Sequence, residues 1–594
     1  MKLAVTFALF AMTISAMEAS AEIDITVPRL SKQNNYPPSG SHLLAMPPEN
    51  KPYEYVIVSS GAGGSPLAAR LALAIVTKQD RKLTYLTPDG DYYSGVNPPE
   101  SSKVLGNHYP RVGALGGCTQ HLALVPVAPA RNGWDDIKNL TRDQNWDVDC
   151  MQDYFKIEKN QYLSPEHDTT KAHGFNGWLS TTIEPLDLYT RDLNFFLEYD
   201  INNNLPDRDS TSVFSRVPLS ISTPEWKRAA PRNWFYDIAT AKNVDGFKKH
   251  RLDIALHTLV TKVNFDTTGG KPKATGVDYL YGESLCRADP RSSPTGNAGT
   301  PGSVSATREV IISGGAFDAP QILKLSGIGP AEELKNFGIP VIKDLPGVGG
   351  NLQDRYEVSV TVSSSSNFTL FHNCTFITTD DDPCYEAWGR PSPDPLAHGS
   401  YATDGIAMAM FLRSSTAGPD QDLWVSGAPG LYQGYFPGMS STVVTPAEKD
   451  YFTWLAQRCR FGEGDQSRAV DAEKDPQAVV DGMRLAIQVF DTLEPLETDQ
   501  SFKRVWPPAK IRLEEDLKQW ARDEAWGHHA SCTCPIGADG DPFAVLVGQF
   551  CVRGVDGLRV VDASAFPKTP ELFPVVGIYM LAEKAVDDIL EDAR

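Results

Sequence analysis

The feature that most narrows what this chain can fold into is a short β-rich run that meets a glycine-rich turn and then a helix-forming stretch. Tyr53-Glu54-Tyr55-Val56-Ile57-Val58 is followed by Ser59-Ser60-Gly61-Ala62-Gly63-Gly64, and then by Leu67-Ala68-Ala69-Arg70-Leu71-Ala72-Leu73-Ala74. Aromatic and β-branched residues favour a strand, and the Leu/Ala-rich run favours a helix. Glycines between them allow a tight reversal and let the backbone approach a pyrophosphate. The helix N-terminus then offers free N–H groups and a positive dipole end to the anion. Strand, glycine turn and helix together open a dinucleotide-binding βαβ unit, with Lys82-Leu83-Thr84-Tyr85-Leu86 as its next strand. Ser59 stands where the first glycine of such a turn is usual, and Thr87 where an acidic residue would bind a ribose hydroxyl. At this point a purely structural glycine turn fits the same residues.

The ends of the chain speak to compartment. Lys2 precedes a mostly apolar stretch from Leu3 to Ile14, and Ala19-Ser20-Ala21 is a small-residue cleavage site, so residues 1–21 read as a secretory signal with Glu22 as the mature start. The apolar run is too short to span a bilayer. Export agrees with three Asn-x-Ser/Thr sequons, at Asn139, Asn367 and Asn373. Nine cysteines are present, and Cys374 and Cys384, bracketing a short polar stretch, are the best candidates for a disulfide. Cys532-Thr533-Cys534 does not have zinc-knuckle spacing and no second pair follows, so no metal site is expected.

With 594 residues, more than one domain is needed. The 55 basic against 75 acidic side chains give a net charge of −20, which argues against nucleic acid or anionic lipid as the main partner. Residues 22–50 read as an extended arm. Residues 287–306 and 363–400 are rich in Gly, Ser, Pro and Asp and read as surface loops. Residues 470–525 alternate apolar and charged positions at helical spacing and read as amphipathic packing helices.

Three further segments carry more than a generic nucleotide fold. The first is Arg111-Val112-Gly113-Ala114-Leu115-Gly116-Gly117-Cys118-Thr119-Gln120-His121. The second runs from Gly314 to Pro330 and is followed by Gly347-Val348-Gly349-Gly350-Asn351-Leu352-Gln353-Asp354. The third is His528-His529-Ala530-Ser531-Cys532-Thr533-Cys534 with Gly557 through Ser564. In this order and spacing they resemble the glucose-methanol-choline (GMC) flavoprotein oxidoreductases, of the secreted fungal and choline-dehydrogenase-like kind. The resemblance spans roughly Tyr55 to Ile589.

That resemblance implies an α/β chain with a Rossmann-like FAD-binding domain and a substrate domain built on an antiparallel sheet and helices. Residues 51–180, 225–355 and 526–594 would form the FAD domain, and 181–224 and 356–525 the substrate domain. His529 matches the catalytic histidine of the family's His-x-x-x-Thr-Cys pattern, a base of near-neutral pKa suited to taking the alcohol proton. His528 is its neighbour, as a second catalytic group or as packing. The family's second catalytic position, usually His or Asn, falls on Phe573, which can neither donate a hydrogen bond nor move a proton. Ser59, Gly61, Gly64, Thr87, Asp562 and Ala563 would hold the dinucleotide, and the Val260 backbone the adenine edge. Gly116, Gly117, Cys118 and Thr119 would lie along the flavin, with His121 either bonded covalently to it or hydrogen-bonded near the ring.

The function so implied is oxidation of a small or medium organic alcohol by hydride transfer to flavin N5, with oxygen or a quinone as acceptor, in a setting such as fungal secondary metabolism. The alternative is a cyclase or lyase on the same flavin fold, in which the histidine does acid–base work and no net electrons move. Phe573 and the altered nucleotide turn favour that alternative. A non-catalytic binding protein is a third reading, opposed by the retained His529.

Overall fold

The computed structural model describes residues 43–44, 52–59, 83–89, 92–94, 98–107, 109–184, 200–247, 249–250, 252–286, 292, 298–376, 381–392, 394–406, 408–436, 449–459, 474–492 and 501–593. Two larger sheets organise them. In the five-stranded sheet, the long strand Thr300–Ile312 is central. Its C-terminal end is flanked by parallel partners on both edges, Tyr53–Val58 and Leu558–Val560, with Ile312 opposite both Val58 and Val560. Parallel strands covered on both faces need near-continuous apolar runs, and Val58, Val310, Ile312, Leu558 and Val560 are buried in one cluster. The N-terminal half of the same strand pairs antiparallel with Lys273–Tyr281, which pairs with Thr258–Asp266 at the edge.

Two expectations are corrected here. Residues 287–306 are not loop throughout, because the long strand begins at Thr300. Val304 and Ala306 are buried while Ser303 and Ser305 are exposed, a strand period that the Gly/Ser-rich composition hid. Gly302 belongs there because a Cβ at that position would meet the Tyr279 ring at 2.3 Å. The second correction concerns Leu83–Leu86, which is a strand but does not extend the parallel sheet. It pairs antiparallel with Tyr92–Ser94 and Lys103–Asn107. A local antiparallel partner a few residues away closes at less entropic cost than a crossover. Thr87 therefore ends a separate three-stranded sheet, and Gly61, Gly64 and the expected helix at 67–74 lie outside the described residues.

The six-stranded sheet is antiparallel throughout, in the order Phe502–Trp506, Glu357–Ser364, Tyr451–Arg458, Leu423–Pro429, Met408–Leu412, Val213–Arg216. One face carries Val358, Val360, Val362, Phe452, Trp454 and Ala456. It packs on Val479, Val480 and Met483 of the helix Lys474–Thr492 and on Leu517 and Ala521 of the helix Glu514–Glu524. Those helices answer the pattern read over 470–525, with the edge strand Phe502–Trp506 between them. Because side chains alternate along a strand, Glu357, Ser359 and Thr361 point to the opposite face, as do Thr453 and Gln457. Glu357 and Gln457 stand directly opposite each other across the strand pair.

Cys374 and Cys384 form the expected disulfide. Within the stretch read as loop, it closes onto the short helix Pro383–Trp388. Among the described residues no helix is long and apolar enough to cross a membrane.

Candidate active site

The segment carrying the two adjacent histidines is held by its ends. Trp526 and Glu357 exchange backbone hydrogen bonds at 3.0 and 3.1 Å, and Ser531 and Gln353 at 2.9 and 3.2 Å. Between these ties, the Asp354 carboxylate accepts the backbone N–H of His529 at 2.8 Å. The Tyr109 hydroxyl accepts that of Ala530 at 2.7 Å. Gly527 makes the close approach possible, since a Cβ there would stand 2.6 Å from the Arg355 carbonyl oxygen and 2.8 Å from Asp354 Oδ2. The glycine-rich motif ending at Asp354 and the His-His motif thus meet, although 175 residues separate Asp354 from His529.

His529 is buried, with 8% of its surface exposed. Its Nδ1 lies 3.0 Å from Gln457 Nε2 and 3.6 Å from Glu357 Oε1. The Gln457 amide also donates to Glu357 Oε1. The Phe573 ring stands edge-on to the imidazole, centroids 5.7 Å apart at 89°, and meets Trp424 at 5.2 Å. The position matched to the family's second catalytic group is therefore beside His529, as an apolar wall. Burial first, then the neighbouring His528 and the Arg355 guanidinium, hold His529 well below the usual histidine range, so it rests neutral.

His528 stacks on Trp526 at 5.4 Å and 14° and meets Tyr435 edge-on at 5.3 Å. Its Nε2 is 3.7 Å from Glu357 Oε1. Burial, then His121 and Arg355, push it down to about 3. Glu357 moves the other way. Burial and then the Asp354 charge raise it to about 8, against the opposing pull of Arg355 and Gln457, so at neutral pH it is mostly protonated. Sequence reasoning missed Glu357, Gln457 and Arg355. Arg355 directly follows the Gly347–Asp354 motif and Glu357 stands two residues further on, while Gln457 lies in a strand with no motif to mark it.

On the other side of the histidines, Gly116 and Gly117 take positive φ angles of 98° and 54° and start the short helix Gly117–Gln120. A Cβ at Gly116 would strike Gln120 at 2.5 Å. Thr119 Oγ1 donates to the Gly116 carbonyl at 2.7 Å, and Arg228 Nη1 donates to the Thr119 and Leu122 carbonyls at 3.3 and 2.8 Å. Cys118 has its thiol raised, chiefly by burial. His121 closes the turn by donating its N–H to the Cys118 carbonyl, and burial followed by Arg228 lowers it to about 4.

Asp562, fully buried, accepts the Gly315 N–H at 2.8 Å and the Ser564 N–H at 2.7 Å, tying the start of the helix Gly315–Leu325 to the strand Leu558–Val560. Ala563 is buried, and its carbonyl accepts the Cys532 N–H. Cys532 and Cys534 are both buried thiols in the core cluster under the sheet. Val260 lies on the edge strand Thr258–Asp266, next to a register shift between Val260 and Lys262. Ser59 holds a positive φ of 92°, the conformation that a glycine would supply in the nucleotide turn.

Buried polar atoms are almost always hydrogen-bonded. Here Ser59 Oγ, His121 Nε2 and His528 Nδ1 are buried without a protein partner, one at the nucleotide turn and two beside the candidate base. Such orphaned polar atoms, with the left-handed turn at Gly116 and Gly117, fit the binding of a polar group.

Parallel strands at the centre of the five-stranded sheet are the frame on which α/β proteins carry nucleotide cofactors. GMC oxidoreductase family models match residues 233–357 and 465–582. The chain is 26% identical over 579 residues to the oxygen-dependent choline dehydrogenase of Pseudomonas savastanoi pv. phaseolicola, covering 90% of this chain and 93% of that one. It is 25% identical to the oxidoreductase cicC of Emericella nidulans, covering 96% and 98%. A solved formate oxidase superposes with a TM-score of 0.65 at 17% identity, over 92% of this chain and 99% of that one. The chain thus matches the N- and C-terminal domain models of the GMC oxidoreductases and shares the α/β fold of the solved formate oxidase.

Proposed function

We propose that this protein is a secreted oxidoreductase that oxidises the CH–OH group of an organic alcohol, with His529 as the base. The observation that carries this reading is the state of His529. It is neutral, buried and held at Nδ1 by Gln457, which leaves Nε2 for the substrate hydroxyl. When bound, FAD supplies the acceptor for the hydride that leaves the alcohol carbon. The hydroxyl proton passes to His529 Nε2, and the carbon–oxygen bond becomes a carbonyl. Phe573 against His529, and Tyr435 and Trp526 against His528, give the two histidines an aromatic surround, which suits an alcohol with an apolar body.

Cofactor roles follow the same reading. Gly116, Gly117, Cys118 and Thr119 line the flavin, with His121 at its edge. Ser59, Gly61, Gly64, Asp562 and Ala563 face the dinucleotide, the Val260 backbone faces the adenine, and Thr87 the ribose. The five-stranded sheet, drawn from residues 53–58, 258–312 and 558–560, supports a discontinuous FAD domain. The six-stranded sheet, drawn from 213–216 and 357–506, supports a substrate domain. Secretion is supported by the apolar N-terminal stretch, by the Cys374–Cys384 disulfide and by exposure of Asn139, Asn367 and Asn373, the three proposed glycosylation sites. Oxygen or a quinone would take the electrons onward, and fungal secondary metabolism is the setting such a secreted enzyme fits.

The test is the colour of the purified yellow protein under anaerobic conditions with a panel of alcohols. Bleaching by an alcohol in the wild type and its loss in His529→Ala is the expected outcome. Conversion of a substrate without bleaching would replace the oxidase reading with the cyclase or lyase one.

A further inference from the structure

The hydrogen bonds behind His529 contain a conflict whose resolution assigns two more residues to the reaction. A base acting through Nε2 must carry its proton on Nδ1, so whatever faces Nδ1 has to accept. The group there is the Gln457 amide, 3.0 Å away, and with its nitrogen turned to the imidazole it donates. A donating amide fixes the opposite tautomer, with hydrogen on Nε2, and the ring then offers the substrate an N–H rather than a lone pair. The same amide nitrogen bonds Glu357 Oε1, which suits an ionised Glu357.

Half a turn about the terminal bond of Gln457 exchanges its oxygen and nitrogen. The amide oxygen then accepts from His529 Nδ1–H on one side. On the other side two oxygens face each other across the strand pair, and only a protonated Glu357 satisfies both, by donating its O–H to Gln457. Amide orientation, Glu357 protonation and His529 tautomer therefore change together. One set is ionised Glu357, nitrogen-in Gln457 and Nε2–H. The other is protonated Glu357, oxygen-in Gln457 and a free Nε2 lone pair.

We propose that Gln457 and Glu357 are positioning residues that set the tautomer of His529, and that the enzyme oxidises alcohol only while Glu357 carries its proton. Resting on His529 as the base, this adds the groups that make it one. The strand register demands the arrangement, since Glu357 and Gln457 are directly opposed on the face that meets the His-His segment. The proton count is unchanged by the arrangement. The substrate hydroxyl proton goes to Nε2, Nδ1–H stays on Gln457, and Glu357 keeps its own proton through the step.

Other ionisable groups face Glu357 from every element packed against it. Asp354 and Arg355 precede it on its own segment. Tyr432 and Tyr435 face it from the loop after Leu423–Pro429, and burial raises both phenols. Cys459, at the end of the facing strand, is pushed up to about 12, mainly by burial. His528 and His529 are neutral on the alkaline side, and Glu571 is a further acidic group close enough to Arg355 to act on it. Glu357, raised to about 8, changes charge as pH rises through mildly alkaline values.

The deciding experiment is the pH profile of kcat/KM for flavin reduction in wild type and Glu357→Gln. The amide of the variant donates to Gln457 as the carboxylic acid does but cannot ionise. The wild type should lose activity as pH rises through about 8. Glu357→Gln should keep at least about a tenth of the wild-type rate at pH 7 and lose that alkaline limb. Retention of the limb in Glu357→Gln would overturn the proposal, while a dead His529→Ala beside it would leave the base assignment standing. If Glu357→Gln fails to load flavin, Gln457→Met answers the same question. It should lower kcat at least about tenfold with KM within about threefold and abolish the limb, and a preserved limb there would equally overturn the proposal.

Discussion

At the scale of single residues, the site departs from what its motifs imply at one position, and that departure has a physical meaning. Phe573 occupies the place where a hydrogen-bonding partner for the substrate oxygen is usual in the family, and its ring stands edge-on to His529 and to Trp424. Edge-on aromatic pairs contribute about 0.5–1.5 kcal/mol each beyond burial. The ring therefore fixes the imidazole by contact, while the tasks of hydrogen bonding fall on groups behind the ring. Phe573→Leu keeps the site apolar but loses both edge-on contacts. Its kcat/KM should fall roughly three- to tenfold at unchanged flavin content, measured by steady-state oxidation and the flavin-to-protein absorbance ratio. An unchanged kcat/KM would mean that Phe573 does not bound the reacting space.

At the scale of elements, the site is made by a backbone clasp between two motifs distant in sequence. The paired bonds at Trp526–Glu357 and Ser531–Gln353 pin both ends of the His-His segment, and Asp354 pins its middle. Gly527 is the weak point of that clasp, because a methyl group there has nowhere to go. Gly527→Ala should cost about 1–3 kcal/mol of stability from overpacking and lower turnover at least tenfold by displacing Asp354 from the His529 N–H. Thermal melting and flavin reduction rates check both effects, and a variant with wild-type rates would show that the clasp does not position the base. The two motifs of this clasp were legible in the sequence as separate segments, as were the strand Tyr53–Val58 and the Cys374–Cys384 disulfide. Their meeting was not, and neither were Glu357 and Gln457. That pair becomes a unit only when strands about a hundred residues apart align in register. The pairing of Leu83–Leu86 was misread for a related reason: a strand's sequence states its periodicity but not its partner.

At the scale of the whole molecule, one ion cluster ties Glu158, His173 and Asp200 together and makes stability depend on pH. His173 hydrogen-bonds Glu158 at 2.6 Å and Asp200 at 2.7 Å, and its ring is fully buried. Burial alone would lower its pKa, but the bonds to Asp200 and Glu158 outweigh that and raise it to about 10. A histidine whose folded pKa lies above the unfolded value of about 6.5 stabilises the fold fully below that value. The contribution is lost as pH climbs from there toward about 10. Wild-type Tm should therefore drop between pH 6 and pH 9.5 by more than the Tm of His173→Gln, measured by differential scanning fluorimetry. Equal slopes would mean that His173 is not charged in the folded state.

The six-stranded sheet places Glu357 and Gln457 behind one imidazole, His529, whose role is the centre of the proposed reaction. The most direct test is the single-turnover rate of flavin bleaching under anaerobic alcohol in wild type and His529→Ala, each with its full flavin content. General-base assistance contributes about 10²- to 10⁴-fold, and the variant should be slower by a factor in that range. A His529→Ala protein that bleaches within about threefold of the wild-type rate would show that His529 is not the base.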